Sequence, residues 1–212
     1  MGITIFASGK LDRIEDIPHV IDDLKKVAEE NNWKHHVIDD DFDVQPNAVL
    51  TRRDSGLPGA KIEGSVGLKG IIVNIDPQAE SLAILFDRSG VLTDLMQQIS
   101  WLDDNGRSER FTMCKTQFGN IDAHIRIVEL FDHLKKKYIS DLTVNDEGAF
   151  WETRDRRILA EKRVVLGHFM RQTEKIIKDI DMSGVDVQNP EAIASRIEEA
   201  ILKAEKEGGL QQ

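Results

Sequence analysis

The chain has a single cysteine, Cys114, which excludes an internal disulfide framework and a zinc cluster built on cysteines. No apolar run approaches the roughly 20 residues that a membrane-spanning helix needs; Ile71-Ile72-Val73 is interrupted at once by Asn74. The first ten residues lack a basic region followed by a long apolar stretch, so no secretory signal is expected. Phe6 stands where a myristoylation signal starting at Gly2 wants Ser or Thr. Nucleotide loops are missing as well. Gly9-Lys10 is followed by Leu11 rather than Ser or Thr, and Gly64, Gly67 and Gly70 read as turn glycines. None of the six histidines forms a His-x-x-x-His pair, so no zinc spacing is readable and no cofactor is implied. The expected compartment is the cytoplasm.

What is present is a globular composition, 40% apolar and 31% charged over 212 residues, enough for one sizeable core with an appended helical region. The net charge of −10 is unevenly placed: residues 1–50 hold 11 acids against 5 Lys/Arg, and residues 151–212 hold 12 against 11. Phosphate contacts made by Lys and Arg supply most non-specific nucleic-acid affinity, so an acidic chain is poorly suited to that partner. Lys135-Lys136-Lys137 and Arg154 with Arg156-Arg157 read as solvated helix ends. Neither nucleic acid nor a membrane is the expected partner.

The periodicity predicts a strand at residues 3–6, then a helix with Ile14, Ile17, Ile21, Leu24 and Ala28 on one face, capped by Asp16 with Pro18 in its first turn. Residues 36–38 read as a second strand running into Asp39, Asp40, Asp41 and Asp43. Residues 70–75 and 81–86 both alternate with period two and form the clearest hairpin. A turn is expected at residues 56–59, a short helix at 93–102 and a strand at 111–118. Asn120 then caps a helix with the stripe Ile121, Ile125, Val128, Phe131, Leu134 and Tyr138. A last strand is expected at 142–144. A long helix follows at 155–180, and a final one is opened by Asn189-Pro190 and ended by Gly208-Gly209. Many strands on short turns favour an α+β fold: a mainly antiparallel sheet with two or three packed helices over residues 1–150, then a helical region at 151–212. That tail is amphipathic. It buries its apolar side either by folding back on the sheet domain or by pairing with a second copy as a homodimer.

Candidate chemistry gathers in two places. The run Asp39, Asp40, Asp41 and Asp43 could meet a basic partner; it lacks the glycine and terminal glutamate of a calcium loop. The second set is Lys115, His124, Glu147 and Glu152 as catalytic groups, with Gln117 and Trp151 as ligand-binding neighbours, all at ends of elements that could meet at one sheet edge. The structural alternative makes His124 a satisfied core histidine. In it, Phe150 and Trp151 anchor the long helix while Glu147 and Glu152 favour its N-terminal end.

Lys115-Thr116-Gln117-Phe118, His124, Asp146-Glu147-Gly148 and Trp151-Glu152-Thr153 together resemble a group of bacterial hypothetical proteins over about the middle third of the chain. That resemblance implies a bacterial origin and no activity. Two functions stand as expectations: a non-enzymatic interaction or regulatory protein that offers an acidic face to a basic protein, or a hydrolase, metal-assisted in one version, around Lys115, His124, Glu147 and Glu152.

Overall fold

A computed structural model describes residues 2–52, 60–186 and 188–206; the turn expected at 56–59 and the helix end at 208–209 lie outside them. The chain divides into two compact units, Gly2–Arg156 and a helical unit beginning at Arg157. Helices and antiparallel strands are mixed as the α+β expectation requires.

In the first unit, strand β1 (Thr4–Ser8) is the centre of a three-stranded antiparallel sheet, between β8 (Thr112–Lys115) and β9 (Thr143–Asp146). Alternation sends Ile5, Ala7, Cys114 and Val144 into the core and leaves Phe6, Met113 and Asn145 on the other face. A four-stranded antiparallel sheet has the order β2 (Lys34–Asp39), β5 (Leu68–Asn74), β6 (Leu82–Asp87) and β7 (Leu92–Thr93). Strand β6 is buried at every position, because one face of the sheet meets helix α1 (Ile17–Glu30) and the other meets an apolar cluster. That cluster joins Leu68, Ala83 and Leu85 to Ile99 of helix α2 (Leu95–Asp103) and to Ile62 of the small hairpin β3 (Val49–Arg52) and β4 (Ala60–Glu63). The two larger sheets are stitched together. Leaving β1, the chain pairs Lys10 with Val91, and Thr112 Oγ1 donates to the Ala83 carbonyl at 2.5 Å.

Helix α3 (Ile121–Lys137) buries Val128, Phe131 and Leu134 of the predicted stripe, with Tyr138 just beyond it. Ile121 and Ile125 are half-buried and Ile127, outside that stripe, is buried in the core, while the Asn120 side chain accepts the Ala123 N–H at 2.7 Å. Its far end is tied to α1. Asp23 accepts from His133, Lys137 and Tyr138 at 2.7–2.8 Å. Burial opposes the Asp23 charge, but those three donors outweigh it and hold the carboxyl well below the usual range.

Three local expectations need correction. Asp16 takes the N-cap position of α1 but its side chain makes no capping bond; the carboxylate meets His19 at 3.3 Å instead. Ile14 lies in a preceding 3₁₀ turn (Ile14–Asp16) and is exposed, so the buried face of α1 is Ile17, Val20, Leu24 and Ala28. The strand predicted to reach residue 118 stops at Lys115, where Gly119 N–H bonds to the Thr116 carbonyl and Phe118 is turned out to solvent.

The helical unit holds α5 (Arg156–Lys178) and α6 (Pro190–Lys206). Asn189 caps α6 by accepting the Glu191 N–H at 3.0 Å, and Pro190 takes the first helical position. Ile176, Ile180 and Ala200 line a cleft of about 720 Å³ between the two helices. Val164, Val165, Met170 and Ile177 of α5 and Leu202 of α6 remain exposed.

Candidate functional site

Strand β9 carries the site's carboxylate at its last residue. Alternation after buried Val144 turns Asp146 inward, and the chain then bends through Glu147 and Gly148 into a short helix, α4 (Phe150–Thr153). The bend is organised by Asp146 itself. Its Oδ1 accepts the Gly148 N–H at 2.7 Å, and its Oδ2 accepts the N–H groups of Phe150 and Trp151 at 2.8 and 2.9 Å. Ala149 and Arg154, on either side of α4, both lie in the left-handed region, at φ 59° and 54°. Such conformations are rare for side-chain-bearing residues and persist only where surrounding bonds fix them.

His124 enters from α3, one turn after the Asn120 cap and on the same face as Ile127 and Val128. Its Nε2 lies 3.1 Å from Asp146 Oδ2, and its Nδ1 lies 2.7 Å from Thr116 Oγ1. An ionised carboxylate only accepts, so Nε2 carries the hydrogen. With Nδ1 bare, the Thr116 hydroxyl donates to it. With Nδ1 protonated, the ring donates to Oγ1 and the hydroxyl turns to the Ile3 carbonyl, 3.2 Å away. Every polar atom is therefore satisfied in both charge states of the ring. Burial alone would raise the Asp146 pKa, but the His124 hydrogen bond and charge, with the Trp151 and Gly148 N–H groups, outweigh it and hold the carboxyl below its ordinary value.

A hydroxyl, an imidazole and a carboxylate in this order are the chemical set of nucleophilic catalysis. Catalysis also needs a substrate to reach the hydroxyl. Thr116 and His124 are 0% exposed and Asp146 is 5% exposed. None of the three lines the clefts found on the outer face of β1 and β9, between α1 and α3, or between α5 and α6. The network acts as a clamp that fastens the β9–α4 bend and the turn after β8 to the start of α3.

The other residues singled out in the sequence fall elsewhere. Lys115 alternates with buried Cys114 and so lies on the opposite face of the sheet from His124; its backbone N–H donates to Glu80 Oε2 at 2.9 Å. Glu147 closes the end of the β1–β9 ladder: its N–H donates to the Thr4 carbonyl at 3.1 Å, and its Oε2 accepts the Thr4 N–H at 2.8 Å. Lys115 and Glu147 thus flank Thr4 from opposite sides, two strand spacings or about 10 Å apart. Gln117 joins them at the start of β1, where a Cβ on Gly2 would meet its Oε1 at 2.9 Å and Lys115 Cε at 3.2 Å. Glu152 is exposed on α4. Trp151 lies under the Arg154 guanidinium at 4.8 Å, and Arg154 makes a two-pronged ion pair with Asp132 at 2.6 and 2.9 Å. Lys115 and Gln117 meet beside Gly2, Glu147 lies across Thr4 from Lys115, and His124 lies on the other face of the sheet.

The acidic run also does local work. Asp39 pairs with Lys69 at 2.5 Å, Asp40 accepts the Gly67 and Leu68 N–H groups, and Asp41 accepts the Asp43 N–H at 2.9 Å. Among the described residues no group of three or more His, Cys, Asp or Glu comes together to hold a metal ion.

Sequence reasoning missed the buried acids Asp76 and Asp94; a third buried acid is Asp87. Asp76 ties the β5–β6 turn to Asn120, and Asp87 gathers Ser89, Val91 and Arg110 at the end of β6. Asp94 caps α2 through the Gln97 N–H at 2.8 Å, yet burial, with Glu80 nearby, pushes its carboxyl above the ordinary value. A group with a raised folded pKa stabilises the fold at acid pH and loses that contribution as pH rises through the folded value. At pH 7, Asp94→Asn keeps the cap without the charge and is expected to match or exceed the parent in urea denaturation. Asp94→Ala is expected to fall about 1 kcal/mol below the parent.

No protein-family model, curated protein or solved structure matches the chain.

Proposed function

We propose that the protein is a non-enzymatic interaction protein whose N-terminal acidic surface binds a basic protein. The observation that supports it most is the exposure of that charge. Asp12, Glu15, Asp22, Glu29, Glu30, Asp39, Asp41 and Asp43 are exposed within a segment that contains 5 Lys/Arg. Helix α1 packs on β5 and β2, so its exposed acids lie in the same unit as those at the end of β2. Acidic surface of this kind steers a basic partner and raises its association rate. The hydrolase reading asks for a reachable His124, and the burial of that side chain gives it no support.

Asp22, Glu30 and Asp43 are the residues to change, because their carboxylates hold no hydrogen bond or ion pair among the described residues. The triple variant Asp22→Asn, Glu30→Gln, Asp43→Asn is expected to keep the parent's circular dichroism. Its affinity for a basic partner captured from a bacterial extract, measured by calorimetry at low salt, is expected to fall about tenfold. Unchanged affinity, together with unchanged salt dependence, would remove the acidic surface from the binding event.

A further inference from the structure

Strand β2 is the outer strand of the four-stranded sheet, and its own hydrogen bonds decide which of its backbone groups are free. Asp40 N–H donates to the Leu68 carbonyl, which continues the β2–β5 register of Lys34↔Asn74 through Asp39↔Lys69. In an antiparallel ladder, bonded and non-bonded pairs alternate. Lys34, His36, Ile38 and Asp40 therefore face β5, while the N–H and C=O groups of His35, Val37 and Asp39 face outward. No described strand pairs with that edge. The strand contains no proline, and Val37 at its centre is 37% exposed. Natural edges are usually blunted by proline, bulges or an inward charge; this one is six residues long and keeps an unbroken register with β5.

We propose that two copies of this chain pair through β2, antiparallel about a twofold axis at Val37, to make one continuous eight-stranded sheet. The outward groups of His35, Val37 and Asp39 allow symmetric axes at those three bonded positions and at the non-bonded positions His36 and Ile38 between them. An axis at Val37 is the one that pairs residues 34–40 throughout. It sets Val37 against Val37, His35 against Asp39 of the other copy, and Lys34 against Asp40 of the other copy. The ends are thus complementary in charge: Lys34 of each strand meets Asp40 of its mate, a carboxylate that also accepts the Gly67 and Leu68 N–H groups. Antiparallel pairing also places the two Asp-rich ends at opposite ends of the new ladder, the two Asp39 positions about 14 Å apart over four residues, so they do not repel at contact. A basic foreign peptide would satisfy the Asp39 end but would leave Lys34 facing like charge. A second copy satisfies both ends.

Val37→Cys gives a direct reading, because the single native cysteine, Cys114, is fully buried and its thiol is pushed up to about 12 by burial and by Glu80. Under mild oxidant, Val37→Cys is expected to form a disulfide-linked dimer. Cysteine placed at exposed Ile177, on the helical unit, is expected to stay monomeric on the same gel. In sedimentation at 5–100 µM (about the range of a weak homodimer) the parent is expected to self-associate. Val37→Lys sets like charges opposite each other without touching a β5 bond, and is expected to weaken the dimer about tenfold with unchanged circular dichroism. A parent that remains monomeric at 100 µM (about the upper end of that range) overturns the proposal. So does a dimer insensitive to Val37→Lys and linked through Ile177→Cys instead, which would place self-association on the helices. The acidic-surface reading is tested separately, since Asp22, Glu30 and Asp43 lie outside the new ladder.

Discussion

Asp146→Ala is expected to cost the first unit about 4 kcal/mol, read as a lower urea midpoint by circular dichroism. The side chain accepts hydrogen bonds from Gly148, Phe150, Trp151 and His124, and its removal leaves four donors, three of them backbone, without their acceptor. The site is sealed, so water cannot simply replace the carboxylate. Ala149 and Arg154 also lose the bonds that hold α4 between two left-handed residues. Asp146→Asn retains one oxygen but turns an amide nitrogen toward the remaining donors, and is expected to recover less than half of the loss. A catalytic Asp146 would behave otherwise, since removing its charge would leave stability intact or improve it. The pH dependence separates the two as well. Asp146 and Asp87 are both held below the ordinary carboxylate value, so each contributes stability above about pH 4 and loses it as pH falls through its folded value. The parent should therefore show a steep acid limb below about pH 4, and Asp146→Ala should flatten it.

The elements with strong periodicity were legible in the sequence. The β5–β6 hairpin and α3 with its Asn120 cap follow directly from period two and from 3,4 spacing, since each buries a stripe that the residues themselves mark. The misread ends share one physical cause. Asp16 carries the right side chain for a cap, but a 3₁₀ turn precedes the helix and His19 takes the carboxylate, a preference that no local pattern records. At the other side of the fold, Gly148 looks like the residue that must turn, yet Ala149 adopts the positive φ because Asp146 bonds both before and after it. The candidate site was half legible. Structural satisfaction of His124 could be foreseen from its place on an apolar helix face; its partners could not. Thr116 and Asp146 lie 8 and 22 residues away, and alternation decides that Asp146 points inward while Glu147 does not. A one-residue change of phase exchanges their roles, which is why Glu147 drew attention in the sequence and Asp146 carries the network.

Gly70→Ala is expected to destabilise the first unit by about 4 kcal/mol, with the same measurement. Gly70 lies inside β5, paired with Ile38 on one side and Leu85 on the other, at φ +152°. A Cβ there would sit 2.1 Å from the Ile84 carbonyl oxygen and 2.9 Å from Leu85 Cα. Both are backbone atoms of β6, the strand buried on both faces, so no rotamer change can relieve the overlap. Either β6 moves, which opens the apolar cluster around Leu68, Leu85 and Ile99, or β5 separates from β6 at its centre. Gly184→Ala is the control. Gly184 also has positive φ, at +78°, but a Cβ there meets nothing within 4 Å, so the expected cost is backbone strain alone, about 1 kcal/mol. Equal effects at the two positions would mean that φ, and not the β6 backbone, sets the requirement for glycine. A much larger effect at Gly70 places the limit on the β5–β6 contact. In that case, loosening the sheet at Gly70 should also misalign β2 beside it, and the Val37→Cys disulfide should form more slowly in the double variant than in Val37→Cys alone.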